Sequence, residues 1–250
     1  MKLSVALFFA GLFGALAAMF VLLSFGTDYW LLASETCDKE TNGTMGPWAS
    51  AIEIRSGEKT KAQQRRPDTT FYHEGFFWRC SFGGNLDDHT LLKFWITNQP
   101  HAKVCTHAYL FPFPVSQQTH NATAYDSAII YRGFWSIFML IGVAAVIMGG
   151  FFIICAAPFA SHRLYKVGGG LFLMSALFLL GVVWMSVLWV ELMDVVQFYV
   201  DHQRSSLCPT FDLTIHYGLS FFFAPVGISF CLLAGLLFLL IGRSVQMQYH

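Results

Sequence analysis

Cysteine is the residue with the most chemistry to offer in this chain. Six are present, and four of them, Cys37, Cys80, Cys105 and Cys208, lie in polar stretches between long apolar segments. In an oxidising compartment, thiols so placed persist as disulfides. Four cysteines allow three pairings, and spacing alone does not choose among them. The favoured pairing joins Cys80 to Cys105 within one sheet, leaving Cys37 and Cys208 to tie two loops together. Each bond contributes about 2–4 kcal/mol, mainly by restricting the unfolded chain. Cys155 and Cys231 fall inside apolar segments, where packing is the expected role, with palmitoylation the alternative for Cys155.

Other chemistry is sparse. The sequons Asn42-Gly43-Thr44 and Asn121-Ala122-Thr123 offer glycosylation at Asn42 and Asn121. His73, His89, His101, Cys105 and His107 share one loop, but none has the spacing that wraps ligands around zinc, so these histidines read as surface residues and no metal site is expected. No nucleophile elbow, P-loop or dinucleotide fingerprint appears, so the expectation is a non-enzymatic protein with no catalytic residue. No cofactor, small-molecule substrate or nucleic-acid partner is expected either.

The elements that must position these residues are membrane helices. Hydrophobic residues make up 55% of the chain and charged residues 12%, about half the usual charged share. Residues 3–27, 133–161, 167–190 and 213–242 contain no Asp, Glu, Lys or Arg. Each run exceeds the roughly 20 residues that cross the hydrocarbon core as a helix. The expectation is a single membrane domain over 1–250, with helices at about 4–26, 133–157, 168–192 and 218–242. The connecting loops are then about 27–131 and 193–217. A cleaved leader ending near Ala17 is the lesser reading, because the first apolar run continues through Phe25.

Charge sets the orientation. With both termini cytoplasmic, the inner side holds Lys2, Arg163, Lys166 and Arg243, and all 15 acids fall outside. Basic residues in short loops stay on the cytoplasmic side, whereas long translocated loops are exempt. The sequons agree, since they must face the lumen to be glycosylated. The expected location is the plasma membrane, as a multi-pass glycoprotein in the lipid bilayer. Intramembrane charges mark ion and proton routes, and their absence from the four apolar runs counts against a transporter.

Aromatics collect at the outer boundary: Tyr29, Trp30, Tyr131, Trp135, Trp184, Trp189 and Tyr217. They read as an interfacial belt. Ala10, Gly11, Gly14, Ala15 and Ala18 give the first helix a face of small residues for close packing. Pro158 should end or kink the second helix, because proline lacks an amide hydrogen.

The first loop reads as a small sheet. Residues 29–33, 71–82, 91–97 and 104–111 are rich in aromatic and β-branched residues, and turn-forming stretches separate them. Within the second, Trp78, Cys80 and Phe82 alternate with Phe77, Arg79 and Ser81 across the two faces. Residues 83–85 read as a turn, and residues 53–70, poor in large apolar side chains, as an excursion without a core. Phe76, Phe77 and Trp95 are candidate partner contacts. For Trp78 a place in the sheet's own core is preferred.

These residues resemble the claudin and peripheral-myelin-protein superfamily. Its signature is a Trp after the first helix, then Gly-Leu-Trp-x-x-Cys and a second Cys. Here Trp30 takes the leading position, and Gly75, Phe76 and Cys80 keep the spacing. Phe77 stands where the family has Trp, with Trp78 following it; Cys105 is the second cysteine, later than in a claudin. Arg132, just before the second helix, also fits. The resemblance implies a claudin-like, left-handed membrane four-helix bundle topped by an extracellular antiparallel sheet, with four strands from the first loop, or five with one from the second.

A closer resemblance to one muscle-associated member runs through residues 27–33, 73–80, 93–100, 105–110, 131–135, 153–162 and 232–243. It implies negative regulation of myogenesis through a membrane-protein partner, β1 integrin. The leading expectation is thus a cell-surface adaptor. A claudin-type junction barrier and an auxiliary ion-channel subunit are the alternatives.

Overall fold

A computed structural model describes residues 3–37, 68–83, 104–108, 122–159, 161–191, 195–206 and 208–248. Four long helices form the body: α1 (Leu3–Gly26), α2 (Ala122–Phe159), α3 (His162–Glu191) and α5 (Leu219–Gln248). A shorter helix, α4 (Val195–Ser206), lies between α3 and the last strand. The four long helices are each long and apolar enough to cross a membrane. In hydrocarbon a lone segment must satisfy its own backbone groups, which a helix does.

The helices pack in the order α1–α5–α3–α2, and α1 and α2 touch less extensively than the other neighbours. On α1 the buried positions are Ala10, Gly14, Ala17, Val21 and Ser24, a three- and four-residue spacing that defines one face. Small residues there let large rings approach: a Cβ on Gly14 would stand 3.5 Å from both Phe172 and Phe238. Those two rings stack at 6.2 Å and centre the bundle. Ser175 Oγ donates to the Gly142 carbonyl at 2.7 Å, so this buried hydroxyl is satisfied by the neighbouring helix.

Several boundaries differ from the sequence expectation. Helix α2 begins at Ala122 rather than near 133, because no Gly or Pro interrupts the chain before Gly133. It ends one residue after Pro158. Helix α3 begins at His162, taking in Arg163 and Lys166, and Lys166 Nζ donates to Gln246 of α5. The α4 helix was not anticipated.

Five strands form one antiparallel sheet: β1 (Leu31–Cys37), β2 (Asp68–Glu74), β3 (Trp78–Gly83), β4 (Val104–His107) and β5 (Asp212–Tyr217). Their order is β4-β3-β2-β1-β5. Four come from the first loop and one from the second. The sequence suggests a single strand over 71–82; the structure has a hairpin there, with the reversal at Gly75-Phe76-Phe77. The reason is steric. Gly75 lies against the chain after α1, where a Cβ would come within 2.6 Å of Asp28 Cα. The proposed strand at 91–97, the turn residues 84 and 85 and most of the 53–70 excursion lie outside the described residues, whereas Asp68–Glu74 belongs to β2.

Candidate functional site at the junction of sheet and bundle

The sheet is fixed to the bundle by backbone first. Trp30 N–H donates to Glu74 O at 2.9 Å, and Gly218 N–H donates to Trp30 O at 2.9 Å. Ser220 N–H donates to Tyr29 O at 3.1 Å. Thr27 Oγ1 and Ser220 Oγ lie 2.6 Å apart, joining the end of α1 to the start of α5. Gly218 must be glycine for this approach, since a Cβ would fall 2.7 Å from Tyr29 C. These contacts satisfy chain that would otherwise leave polar backbone buried at a helix end.

Aromatic side chains fill the space that the backbone encloses. Trp30 meets Phe76 edge-on at 4.9 Å and Phe221 at 5.6 Å, and Phe76 meets Trp135 edge-on at 5.9 Å. Edge-to-face pairs at these distances are the favoured arrangement for aromatic quadrupoles. Tyr131 stacks on Trp189 at 5.2 Å, and its hydroxyl donates to Met185 O. Trp30, Trp135 and Trp189 are therefore buried rather than members of an interfacial belt, because the sheet covers the helix ends where they stand. Trp184 is exposed, as an interfacial residue should be.

One ion pair is sealed under the sheet. Arg132 Nη1 lies 3.3 Å from Glu74 Oε1, Nη2 donates to Gly75 O at 3.5 Å, and the guanidinium sits 5.6 Å from the Trp135 ring. Burial pushes the Glu74 carboxyl up to about 7, while Arg132 and Arg79 pull in the opposite direction. His73, on the same strand, is buried rather than a surface residue; its Nδ1 lies 2.8 Å from Asp28 O and its ring stacks on Tyr29 at 4.5 Å. Among the described residues no group of three or more His, Cys, Asp or Glu gathers as metal ligands.

A second polar cluster lies further up the sheet, around Glu35. Tyr72 and Tyr199 donate their hydroxyls to its two oxygens at 2.9 and 3.0 Å, and Gln203 donates to the Tyr199 hydroxyl. Arg79 stands 3.9 Å from Glu35 and 4.4 Å from the Tyr72 ring centre. Burial and then the Glu35 charge raise the Tyr72 hydroxyl to about 12, and raise that of Tyr199 as well. Glu35 thereby joins β1, β2 and α4. At the other end of β5, Tyr217 donates to Glu191 of α3 at 3.2 Å; burial and that carboxylate push its hydroxyl up to about 12.

Two disulfides close the assembly. Cys80 and Cys105 face each other across β3 and β4, and Cys37 joins Cys208, linking the end of β1 to the segment before β5. Cys208 packs with Ala33, Tyr199, Val200 and Phe211 in a small core separate from the bundle. Cys155 and Cys231 are free thiols in α2 and α5, and Cys231 is fully buried.

The signature residues separate into two groups. Trp30, Gly75, Phe76 and Arg132 meet at the junction. Phe76 is thus a packing residue rather than a free contact, because its ring is wedged between Trp30 and Trp135. Phe77 and Trp78 lie outside that group. Phe77 is 46% exposed although its edge touches Phe25, and Trp78 is 43% exposed at the start of β3 rather than in a core. Trp78 opens its strand, two residues before the buried Cys80. Trp95, Asn42 and Asn121 lie outside the described residues. Glu35, Glu74 and Tyr199 were not singled out from sequence. Glu74 carried a signal, an acid beside the glycine of an aromatic motif; Tyr199 carried none.

Comparison with known proteins agrees with this architecture. The family described as PMP-22/EMP/MP20/Claudin tight junction matches residues 15–240. Transmembrane protein 182 of Danio rerio is 57% identical over 250 residues, covering 100% of both chains. The Gallus gallus protein of that name is 49% identical, covering 99% of each, and the Homo sapiens one 47% identical, covering 100% of each. With four membrane-length helices, a small antiparallel sheet at their ends and relatives matched from end to end, the chain belongs to the PMP-22/EMP/MP20/claudin family.

Proposed function

We propose that this protein is a non-enzymatic cell-surface regulator that binds another membrane protein laterally. The sheet is its extracellular face and both termini are cytoplasmic. The observation that carries the reading is the placement of Phe77 and Trp78. Both are exposed apolar side chains on a hairpin held by the Cys80–Cys105 bond and by Gly75. Aromatic side chains on a rigid support bind at low ordering cost. The orientation rests on charge: Arg163, Lys166 and Arg243 stand at the end of the bundle away from the sheet.

The partner follows from resemblance to transmembrane protein 182: β1 integrin in muscle cells, with the chain acting as a negative regulator of myogenesis. Co-purification from differentiating myoblasts tests this. Recovery of β1 integrin with the intact chain, and its loss when residues 27–121 are exchanged for the first loop of a claudin, supports the proposal. Integrin-free preparations from surface-delivered protein sink it.

The second reading, a junction barrier, is favoured by the tight-junction description of the matched family. Expression in a leaky epithelial line separates the two. A large rise in transepithelial resistance with strands at cell contacts supports the barrier; unchanged resistance leaves the lateral regulator.

A further inference from the structure

Beneath the sheet lies a small cavity lined by Trp30, Glu74, Gly75, Phe76, Arg132 and Trp135, among others. Its volume is about 10 Å³, close to the space that one water molecule needs. The polar atoms around it are mismatched with the protein alone. Trp30 Nε1 and Trp135 Nε1 are buried donors without a protein acceptor, and both Glu74 carboxylate oxygens are buried without an aligned donor. Arg132 is close to Glu74 at 3.3 Å, but it supplies charge there rather than a well-directed hydrogen bond.

Leaving such groups unpaired is expensive. Each buried donor or acceptor without a partner has lost its hydration with nothing in return, and the loss is greater when the group is charged. Trp30 lies just after α1, Glu74 at the end of β2 and Trp135 in α2. Residues from three elements therefore line one small space, and each of them carries a buried polar atom without a protein partner. A water has the complementary inventory: it accepts from indole N–H groups and donates to carboxylate oxygens.

We infer that this cavity is a binding site for a single structural water, which accepts from the indole N–H of Trp30 and Trp135 and donates to the Glu74 carboxylate. The water converts the aromatic wedge into a hydrogen-bonded joint between sheet and bundle. It thereby fixes the tilt at which the sheet presents Phe77 and Trp78. The site stands whether or not the proposed partner binds.

Solid-state NMR of the full chain in lipid vesicles, with ¹⁵N-labelled tryptophan, tests the inference directly. Polarisation is transferred from water protons to indole N–H groups at short mixing times, and the Trp30 and Trp135 signals are assigned by Trp30→Phe and Trp135→Phe. Trp189, equally buried but not part of the cavity lining, is the internal control. The expected result is clear transfer to Trp30 and Trp135 and none above background at Trp189. In Glu74→Leu, whose apolar side chain removes the acceptor, transfer to both indoles should drop to the Trp189 level. Absence of transfer to Trp30 and Trp135 in the unaltered protein overturns the site, and so does transfer that survives Glu74→Leu. If that variant does not fold, the unaltered protein alone decides.

Discussion

Arg132 and Glu74 face each other across the seam between α2 and β2, with Nη1 3.3 Å from Oε1 and side chains only 11% and 4% exposed. A pair this deep contributes little net stability, because both ions were stripped of water to form it. Breaking it is another matter, since the remaining charge stays buried. Arg132→Ala should cost about 3–5 kcal/mol and largely abolish surface delivery. Glu74→Gln also leaves a buried charge, on Arg132, but it keeps the side-chain volume and a carbonyl oxygen as acceptor, so it should cost less than Arg132→Ala, which opens a cavity as well. Thermal unfolding in detergent gives the order; equal losses in both variants would show that the retained oxygen does not serve Arg132.

The same carboxyl gives a pH dependence with a definite sign. Its value in the folded protein, about 7, lies above the ordinary 4.5, so the folded state holds the proton more tightly than the unfolded state. That contribution is fully present below about 4.5 and is lost as pH rises through about 7. Unfolding temperatures measured across this window should fall with rising pH in the unaltered protein relative to Glu74→Gln. Parallel profiles would show that Glu74 is not the titrating group.

The two disulfides should differ in what they hold. Cys80–Cys105 spans 25 residues of sequence and Cys37–Cys208 spans 171. Loop-closure entropy makes the longer link worth somewhat more, with each in the range of about 2–5 kcal/mol. Cys37→Ser should also loosen the segment between α4 and β5, because Cys208 belongs to the small core there, although β5 stays paired with β1. Limited proteolysis should then cut near α4 in Cys37→Ser and spare that region in Cys80→Ser. Identical digestion patterns would contradict this division.

Glycine substitutions should divide by what a methyl group meets. A Cβ on Gly75 strikes Asp28 Cα at 2.6 Å, which is backbone and cannot move aside, whereas one on Gly170 meets nothing within 4 Å. Gly75→Ala should destabilise by about 1–3 kcal/mol, the usual cost of overpacking. Gly170→Ala should leave the unfolding temperature unchanged or raise it. A neutral Gly75→Ala would show that the hairpin does not rest on α1 as described.

Exposure and function can be separated at the hairpin. Phe77→Ser with Trp78→Ser alters surface side chains, so folding and surface delivery should persist while β1 integrin recovery falls at least about tenfold, the effect of losing about 1.4 kcal/mol of binding. Phe76→Ser should instead impair folding, because it opens the aromatic wedge. Undiminished integrin recovery from the double variant would remove Phe77 and Trp78 from the contact surface.

Legibility followed the range of the interactions involved. Four apolar runs and a loop rich in strand-forming residues can be read from local windows, because membrane spanning and strand propensity depend on the residues of one segment. The hairpin at Gly75-Phe76-Phe77 was hidden because its three residues continue the strand-like pattern on either side. Only the nearness of Asp28 shows why the chain must turn there. Trp78 is exposed and Phe76 packed against the core, the reverse of the expected burial, for a related reason. Alternation assigns faces but does not reveal which face the bundle covers.

By itself, the sequence determined a chain with four membrane-length helices, a cysteine-bearing sheet and the signature of its family. These depend on span length, on the exclusion of charge from hydrocarbon and on motif spacing. The tertiary structure fixed the favoured cysteine pairing among three, closed the sheet with the strand from the second loop, and alone revealed Glu74 sealed beneath it with Arg132. Each of these depends on contacts between segments far apart in sequence, and their energy exists only once the folded chain has expelled water from between them.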